Sequence, residues 1–311
     1  MQNPTSSSAP DSIEPPSRRS ARLAYWQLLR VPAVFTAVAD IMLGFVVAHG
    51  GFEPYAQFAG ILLTSICLYW AGMVLNDVFD VKQDTAERPH RPIPSGRVTM
   101  RSAIVLSAIL IAFGLIAAAS VGMQTLGVAG LLLVGIFAYD GLLKSTVLGP
   151  LAMGSCRLLN VMLGAGTAEP LWAMPQLPMA IGLGIYIAGV TWFARTEAVQ
   201  SSRASLSGGI GVVNLGLAWL AGLMLNSPGE SRLSALIVLG MVALTINVRL
   251  FRALSDPSPK LVQQGVRLML LSLITLDAAL ILFKTGDVGY AGFTLALLLP
   301  ATQLSRFIPM T

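Results

Sequence analysis

The chain has 311 residues, of which 55% are hydrophobic and only 11% charged, with a formal net charge of +5. Ordinary soluble domains carry about 25% charged residues, so this inventory excludes a water-soluble globular protein. No basic and aromatic patch stands outside the apolar runs, which excludes nucleic-acid binding as the reason for the positive balance. In chain order, residues 1–24 come first, rich in Ser and Pro and ending with Arg18, Arg19 and Arg22. They lack the apolar core of a signal sequence and are expected to be a disordered cytoplasmic arm. Residues 25–311 read as a single transmembrane domain.

Apolar runs long enough to cross about 30 Å of hydrocarbon fall near 32–49, 56–76, 101–120, 124–139, 147–168, 176–194, 207–226, 232–251 and 264–283. The pattern predicts an all-α, polytopic membrane protein of nine transmembrane helices. A run at 288–304 is a candidate tenth, weakened by Gly289, Gly292 and Pro300. Cys67 and Cys156 each fall inside an apolar run and read as buried free thiols. His49 and His90 lack the second ligand at helical spacing that a transition-metal site needs.

Orientation follows from the basic residues. One set of alternating segments holds sixteen Lys and Arg residues, including five between Lys82 and Arg101, whereas the opposite loops hold only Arg232 and Lys284. This asymmetry assigns the N-terminus and the 77–100 loop to the cytoplasmic side of the inner membrane, against an anionic lipid leaflet.

That loop, running from Asn76 to Arg97, carries the most informative residues. If the second helix continues past Leu75, Asp77, Asp80 and Asp84 share an arc of about 60°, with Asn76 beside them. Carboxylates this close repel one another at a membrane boundary unless a cation neutralises them. A hard divalent ion, Mg²⁺ above all, suits carboxylate and amide oxygens and completes its shell with water and phosphate. Asp77 and Asp84 stand roughly 10 Å apart along the helix, too far for both to ligate one ion directly. Downstream, Arg88, Arg91 and Arg97 are held by Pro89, Pro92 and Pro94 in a stiff basic segment. Acid for metal and base for phosphate is what a diphosphate requires. The alternative reading is a solvated charge face paired with Lys82 and Arg88.

Further along, ionisable groups lie at membrane depth, where they ordinarily face a cavity or a partner. They are Asp40 in the first span, Asp140 at the end of the fourth, Arg157 with Asn160 in the fifth, and Asp277 in the ninth. Arg157 and Asn160 are three apart and project from one helix face. They either form a packing pair or line a cavity, with Asp40 as a partner that orients Arg157. Asp277 has no partner legible in the sequence.

Asn76-Asp77-x-x-Asp80-x-x-x-Asp84, followed by Arg88, Arg91-Pro92 and Pro94-Ser95-Gly96, resembles the first aspartate motif of the UbiA-type intramembrane prenyltransferases. Tyr139 to Lys144 resembles that family's Tyr-x-x-x-Leu-Lys segment. The resemblance covers roughly residues 25–285. It implies helices around a central cavity open to lipid, with Mg²⁺ on Asn76, Asp77, Asp80 and Asp84. It further implies that Lys82, Arg88, Arg91, Tyr139, Lys144, Arg157 and Asn160 contact a polyprenyl diphosphate. The prenyl group then passes to a small-molecule acceptor that the sequence does not identify, and no protein partner is legible.

Where the family has a second aspartate motif, the three expected positions are Arg195, Ala198 and Ser202, and only Glu197 keeps a carboxylate. Arg195 and Arg203 are expected to supply fixed positive charge in place of a second ion. The departure suggests a divergent branch, of the kind found beside secondary-metabolite gene clusters such as the ebo type. It also leaves two alternatives, a sugar-phosphate transferase acting on prenyl phosphate and a binding or transport protein that has lost the chemistry.

Overall fold

The computed structural model describes residues 18–171, 176–195 and 202–308, and among them the chain is helical throughout, without strands. Thirteen α-helices follow one another. They are α1 (Arg18–Leu28), α2 (Val31–His49), α3 (Tyr55–Phe79), α4 (Val81–Glu87), α5 (Met100–Val121), α6 (Met123–Ala138), α7 (Gly149–Gly164), α8 (Gln176–Ala194), α9 (Arg203–Asn226), α10 (Arg232–Ser255), α11 (Pro259–Thr285), α12 (Val288–Ala296) and α13 (Leu298–Leu304). A π-helical turn, Tyr139–Leu143, continues α6.

Eight of these helices are long and apolar enough to span a membrane, which makes the chain an integral, multi-pass membrane protein. The candidate fifth span at 147–168 forms α7, whose 16 residues rise only about 24 Å. It is nevertheless packed inside the bundle, between α2, α6 and α8. The candidate tenth span breaks at Leu297 into α12 and α13, of 9 and 7 residues, each too short for about 30 Å of hydrocarbon. The expected arm also differs: from Arg18 onward the chain is helix α1, whose Ala24 and Leu28, one turn apart, are fully buried.

Lipid cannot drive apolar helices together as water does, so close contact between small residues holds them. Gly44 on α2 and Gly164 on α7 lie so near that a Cβ on Gly44 would meet Val161 O at 2.1 Å. Gly154 on α7 and Gly184 on α8 repeat the device, with a Cβ on Gly154 falling 2.4 Å from Gly184 O. Helices α2, α7, α8 and α11 thus form the buried centre, whereas α5, α6 and α10 present Ile104, Phe113, Ile116, Val134, Ile237 and Leu244 outward. At 25 residues, α3 rises about 37 Å and outreaches the hydrocarbon, which carries its last turns, with Asn76 and Asp77, to the boundary.

Candidate active site

A cavity of about 1040 Å³ opens between α2, α3, α6, α7, α8 and α11. Charged side chains gather at its mouth, and Leu68, Leu132, Ile136, Met153, Ile187 and Val190 supply an apolar lining between the helices. Five segments bring charge to the mouth, and each does so for a local reason.

The end of α3 carries Asn76 and Asp77, and the chain turns at Asp80 (φ −83°, ψ 0°) into α4, which carries Asp84. This turn interrupts the continuous helix that the sequence pattern assumed. Asp80 and Asp84 consequently line the cavity, while Asp77 sits behind them, buried and bound to guanidinium groups.

The segment after α4 folds back on itself. Val98 N donates to Pro92 O at 3.0 Å, and Gly96 takes φ +72°, a left-handed conformation that Gly adopts without steric cost. Arg97 pins the turn, donating to Gln27 Oε1 at 2.9 Å and to His90 O at 2.5 Å. Ile93 and Val98 are buried against Ala24, Leu28 and Val74. The fold-back returns Arg91 to the acidic helix end, where its Nη1 donates to Asp84 Oδ2 at 2.7 Å and to Asp77 Oδ1 at 3.2 Å. Arg88 lies on the cavity wall beside it.

Arg30, between α1 and α2, is the one non-glycine among the described residues with positive φ, at φ 46°, ψ 49°. Such a conformation costs on the order of 1–3 kcal/mol and persists only where its surroundings enforce it. Here it aims Nη2 at Asp77 Oδ1 (3.1 Å) and Asn76 Oδ1 (3.4 Å). In the sequence Arg30 stands apart from the acidic motif, because these partners lie 46 and 47 residues away.

The π-helical turn closes the opposite wall. Lys144 N donates to Tyr139 O, five residues back, at 2.9 Å, a widened geometry common at functional sites. The turn presents Asp140 Oδ1 to Asn76 Nδ2 at 2.7 Å and pairs Lys144 Nζ with Asp80 Oδ2. Tyr139 lines the cavity between them.

At the end of α8, Arg195 also reaches the mouth and donates to the carbonyl of Thr146. Glu197 lies outside the described residues. Arg203, at the start of α9, instead donates to Ser255 O at the end of α10, at 3.2 Å, and is not on the cavity wall. Lys82 is exposed and also off the wall; it sits two residues from Asp80, about 200° around a helix. Deeper, Arg157 and Asn160 line the cavity as the sequence suggested, and Arg157 Nη1 donates to Asp40 Oδ2 at 2.6 Å.

The wall carries the oxygen donors that a hard cation takes. Asn76, Asp80 and Asp84 offer oxygens from successive helical turns. Among the described residues no three His, Cys, Asp or Glu side chains cluster tightly enough to make a closed cage. That set fits Mg²⁺, which uses one or two carboxylates and fills its shell with water and phosphate oxygens.

The model of the UbiA prenyltransferase family matches residues 37–274 of this chain. A similar curated protein is the digeranylgeranylglyceryl phosphate synthase of Methanopyrus kandleri, 28% identical over 220 residues, which cover 60% of this chain and 80% of that one. The enzyme of the same name from Saccharolobus solfataricus is 31% identical over 145 residues, 45% of this chain and about half (50%) of its own length. Among solved structures, a UbiA homolog from Archaeoglobus fulgidus bound to DMAPP and Mg²⁺ superposes with a TM-score of 0.62, covering 88% of this chain and 99% of that one at 14% identity.

Proposed function

The chain belongs to the UbiA prenyltransferase family, and from that premise we propose that it transfers an isoprenoid group from a polyprenyl diphosphate to a small-molecule acceptor at the cytoplasmic face of the inner membrane. One observation carries the reading: a single cavity joins a mouth of alternating acids and bases to an apolar interior between helices. A diphosphate with a hydrocarbon tail has the same division.

In this reading Asn76, Asp80 and Asp84 hold Mg²⁺, with Asp77 behind them fixing Arg30 and Arg91. When bound, the ion supplies positive charge to the diphosphate oxygens as negative charge builds there. Arg30, Arg88, Arg91, Lys144 and Arg195 surround the same space and stabilise the leaving group through charge-assisted hydrogen bonds. Arg91 and Lys144 meet the diphosphate by exchanging a carboxylate partner for a phosphate one. Leu132, Ile136 and Ile187 hold the tail and keep water from the allylic carbon. Tyr139 and Asn160 offer polar contacts along the wall.

The test uses purified protein with Mg²⁺, labelled geranylgeranyl or farnesyl diphosphate and a panel of acceptors, read by mass spectrometry. The name of the similar archaeal enzymes makes a geranylgeranyl donor with a prenylated glyceryl phosphate the first pair to assay. A prenylated product that disappears with a chelator is expected; the absence of both product and Mg²⁺-dependent donor binding would refute the reading. The orientation is tested separately, by reporters that read cytoplasmic at Gly141 and near Asp256 and external at Glu53 and Pro170.

A further inference from the structure

Midway along α2, where it packs against α3, α7 and α11, lies a polar cluster whose carboxylates the chemistry at the mouth does not use. Asp40 on α2 and Asp277 on α11 are both completely buried, and their carboxyl groups face each other. Asp40 Oδ2 accepts from Arg157 Nη1 at 2.6 Å and from Asn160 Nδ2 at 2.8 Å. Asn160 is itself fixed, donating to Ala37 O at 3.0 Å and accepting from Ser65 Oγ at 2.7 Å. Three oxygens remain without a donor: Oδ1 of Asp40 and both oxygens of Asp277.

Two adjacent carboxylates with one guanidinium would leave an uncompensated charge in a medium of low dielectric, an arrangement of high cost. A carboxylic acid, by contrast, carries one O–H donor, and a single proton placed between the two groups supplies what Asp40 Oδ1 lacks. We propose that Asp277 is held as the neutral acid, donates its proton to Oδ1 of Asp40, and so serves as the positioning residue through which Asp40 aims Arg157 into the cavity. The triad of Asp40, Asp277 and Arg157 is then neutral, as its depth requires. One bond to Asp40 leaves most of the five N–H donors of the Arg157 guanidinium to a guest. Arg157 thereby acts as a directional donor to the substrate diphosphate. Only this last step rests on the prenyltransferase reading; the shared proton stands without it.

Infrared difference spectroscopy tests the proton on the full-length protein in lipid nanodiscs, comparing the wild type with Asp277→Asn. The wild type should show the C=O stretch of a buried carboxylic acid that the variant lacks; a spectrum in which no such band is lost overturns the proposal. Equilibrium binding of labelled geranylgeranyl diphosphate tests the positioning. Asp277→Leu removes the donor to Asp40 and should weaken binding at least fivefold, whereas Asp277→Asn keeps an N–H donor there and should restore it to within twofold. Asn and Leu variants that are equally weak, or a Leu variant that binds like the wild type, would exclude a positioning role. If the Leu variant does not fold, the infrared band and the Asn variant decide the matter. Loss of prenyl transfer in the wild type would strike the proposed function alone, since the infrared band needs no turnover.

Discussion

At the mouth of the cavity Arg91 bridges Asp77 and Asp84, and Lys144, a third exposed (32%), pairs with a partly exposed Asp80 (17%). Midway along α2, Arg157 holds Asp40 with side-chain exposures of 9% and 0%, and Asn160 and Ser65 complete the array. Similar side chains thus serve two purposes. The mouth shares Arg91 between two buried acids and leaves Lys144 and Asp80 open to solvent, so a bound polyanion can take over the Lys144 bond without stranding a buried charge. The inner array is locked by neighbours on four helices, and any partner removed leaves an unsatisfied group in a low-dielectric interior. Between the pair of Lys144 with Asp80 and that of Arg157 with Asp40, the difference lies in burial rather than in residue type.

The most severe way to break this contrast is at the strut. Arg157→Met should destabilise the fold by about 3–5 kcal/mol, because it leaves the buried Asp40 without its counter-charge; thermal unfolding in detergent or lipid would read this. Adding Asp40→Leu should recover part of that loss, since it removes the stranded charge while Asn160 and Asp277 lose an acceptor. A single variant as stable as the wild type would mean that the inner array is no strut.

Asp80→Ala at the mouth should do the reverse, lowering turnover by roughly 10²–10³, the scale of losing one preorganised electrostatic group, with helix content and unfolding temperature kept. Circular dichroism and Mg²⁺-dependent donor binding on one preparation would separate the two effects. A stability loss as large as that of Arg157→Met would erase the distinction between the regions.

How much of this was legible in the sequence depended on the range of each interaction. The acidic end of α3 and the basic segment after it could be read because helical spacing and proline stiffness are local, and Arg91 lies only 7 residues from Asp84. Arg30 could not, since the left-handed turn that aims it is set by the docking of α1. Asp40 and Arg157 were legible as intramembrane charges that need partners, although 117 residues separate them. Asp277 looked isolated because its neighbour belongs to the first span, and only helix packing brings the two together. The break at Asp80 was also hidden: a helix pattern shows which residues share a face but not where the axis turns, so Asp77 moved from the expected cavity face to a supporting position.

A smaller effect is expected at Arg195. It lines the mouth but is exposed and bound to a backbone carbonyl, so Arg195→Asp should weaken donor binding several-fold by setting a negative charge beside a polyanion, while Arg195→Lys keeps most of the affinity. Exposure limits the loss, because solvent screens such a charge well. Full affinity and unchanged Mg²⁺ dependence in both variants would make the end of α8 a plain connector. The mouth would then end at the π-helical turn.

The smallest effect defines the boundary of the mouth from outside. Lys82 belongs to the same basic and acidic stretch as Arg88 and Arg91, and by sequence alone it has an equal claim on the diphosphate. In the fold it is exposed on α4 and off the cavity wall, whereas Asp84, two residues on, is buried on that wall. Net positive charge near the entrance still attracts an anionic substrate, but over a Debye length of about 8 Å at physiological salt that attraction is screened. Lys82→Ala should therefore change donor affinity by less than twofold at physiological salt, with a larger deficit only at low ionic strength, where screening is weak. Arg91→Ala should be costly at any salt, because Arg91 acts by direct contact and also neutralises Asp77 and Asp84. A titration of donor binding against salt for the two variants reads the difference directly. If Lys82→Ala instead matched Arg91→Ala at every ionic strength, α4 would have to rotate when the donor binds, bringing Lys82 onto the wall and taking Asp84 off it.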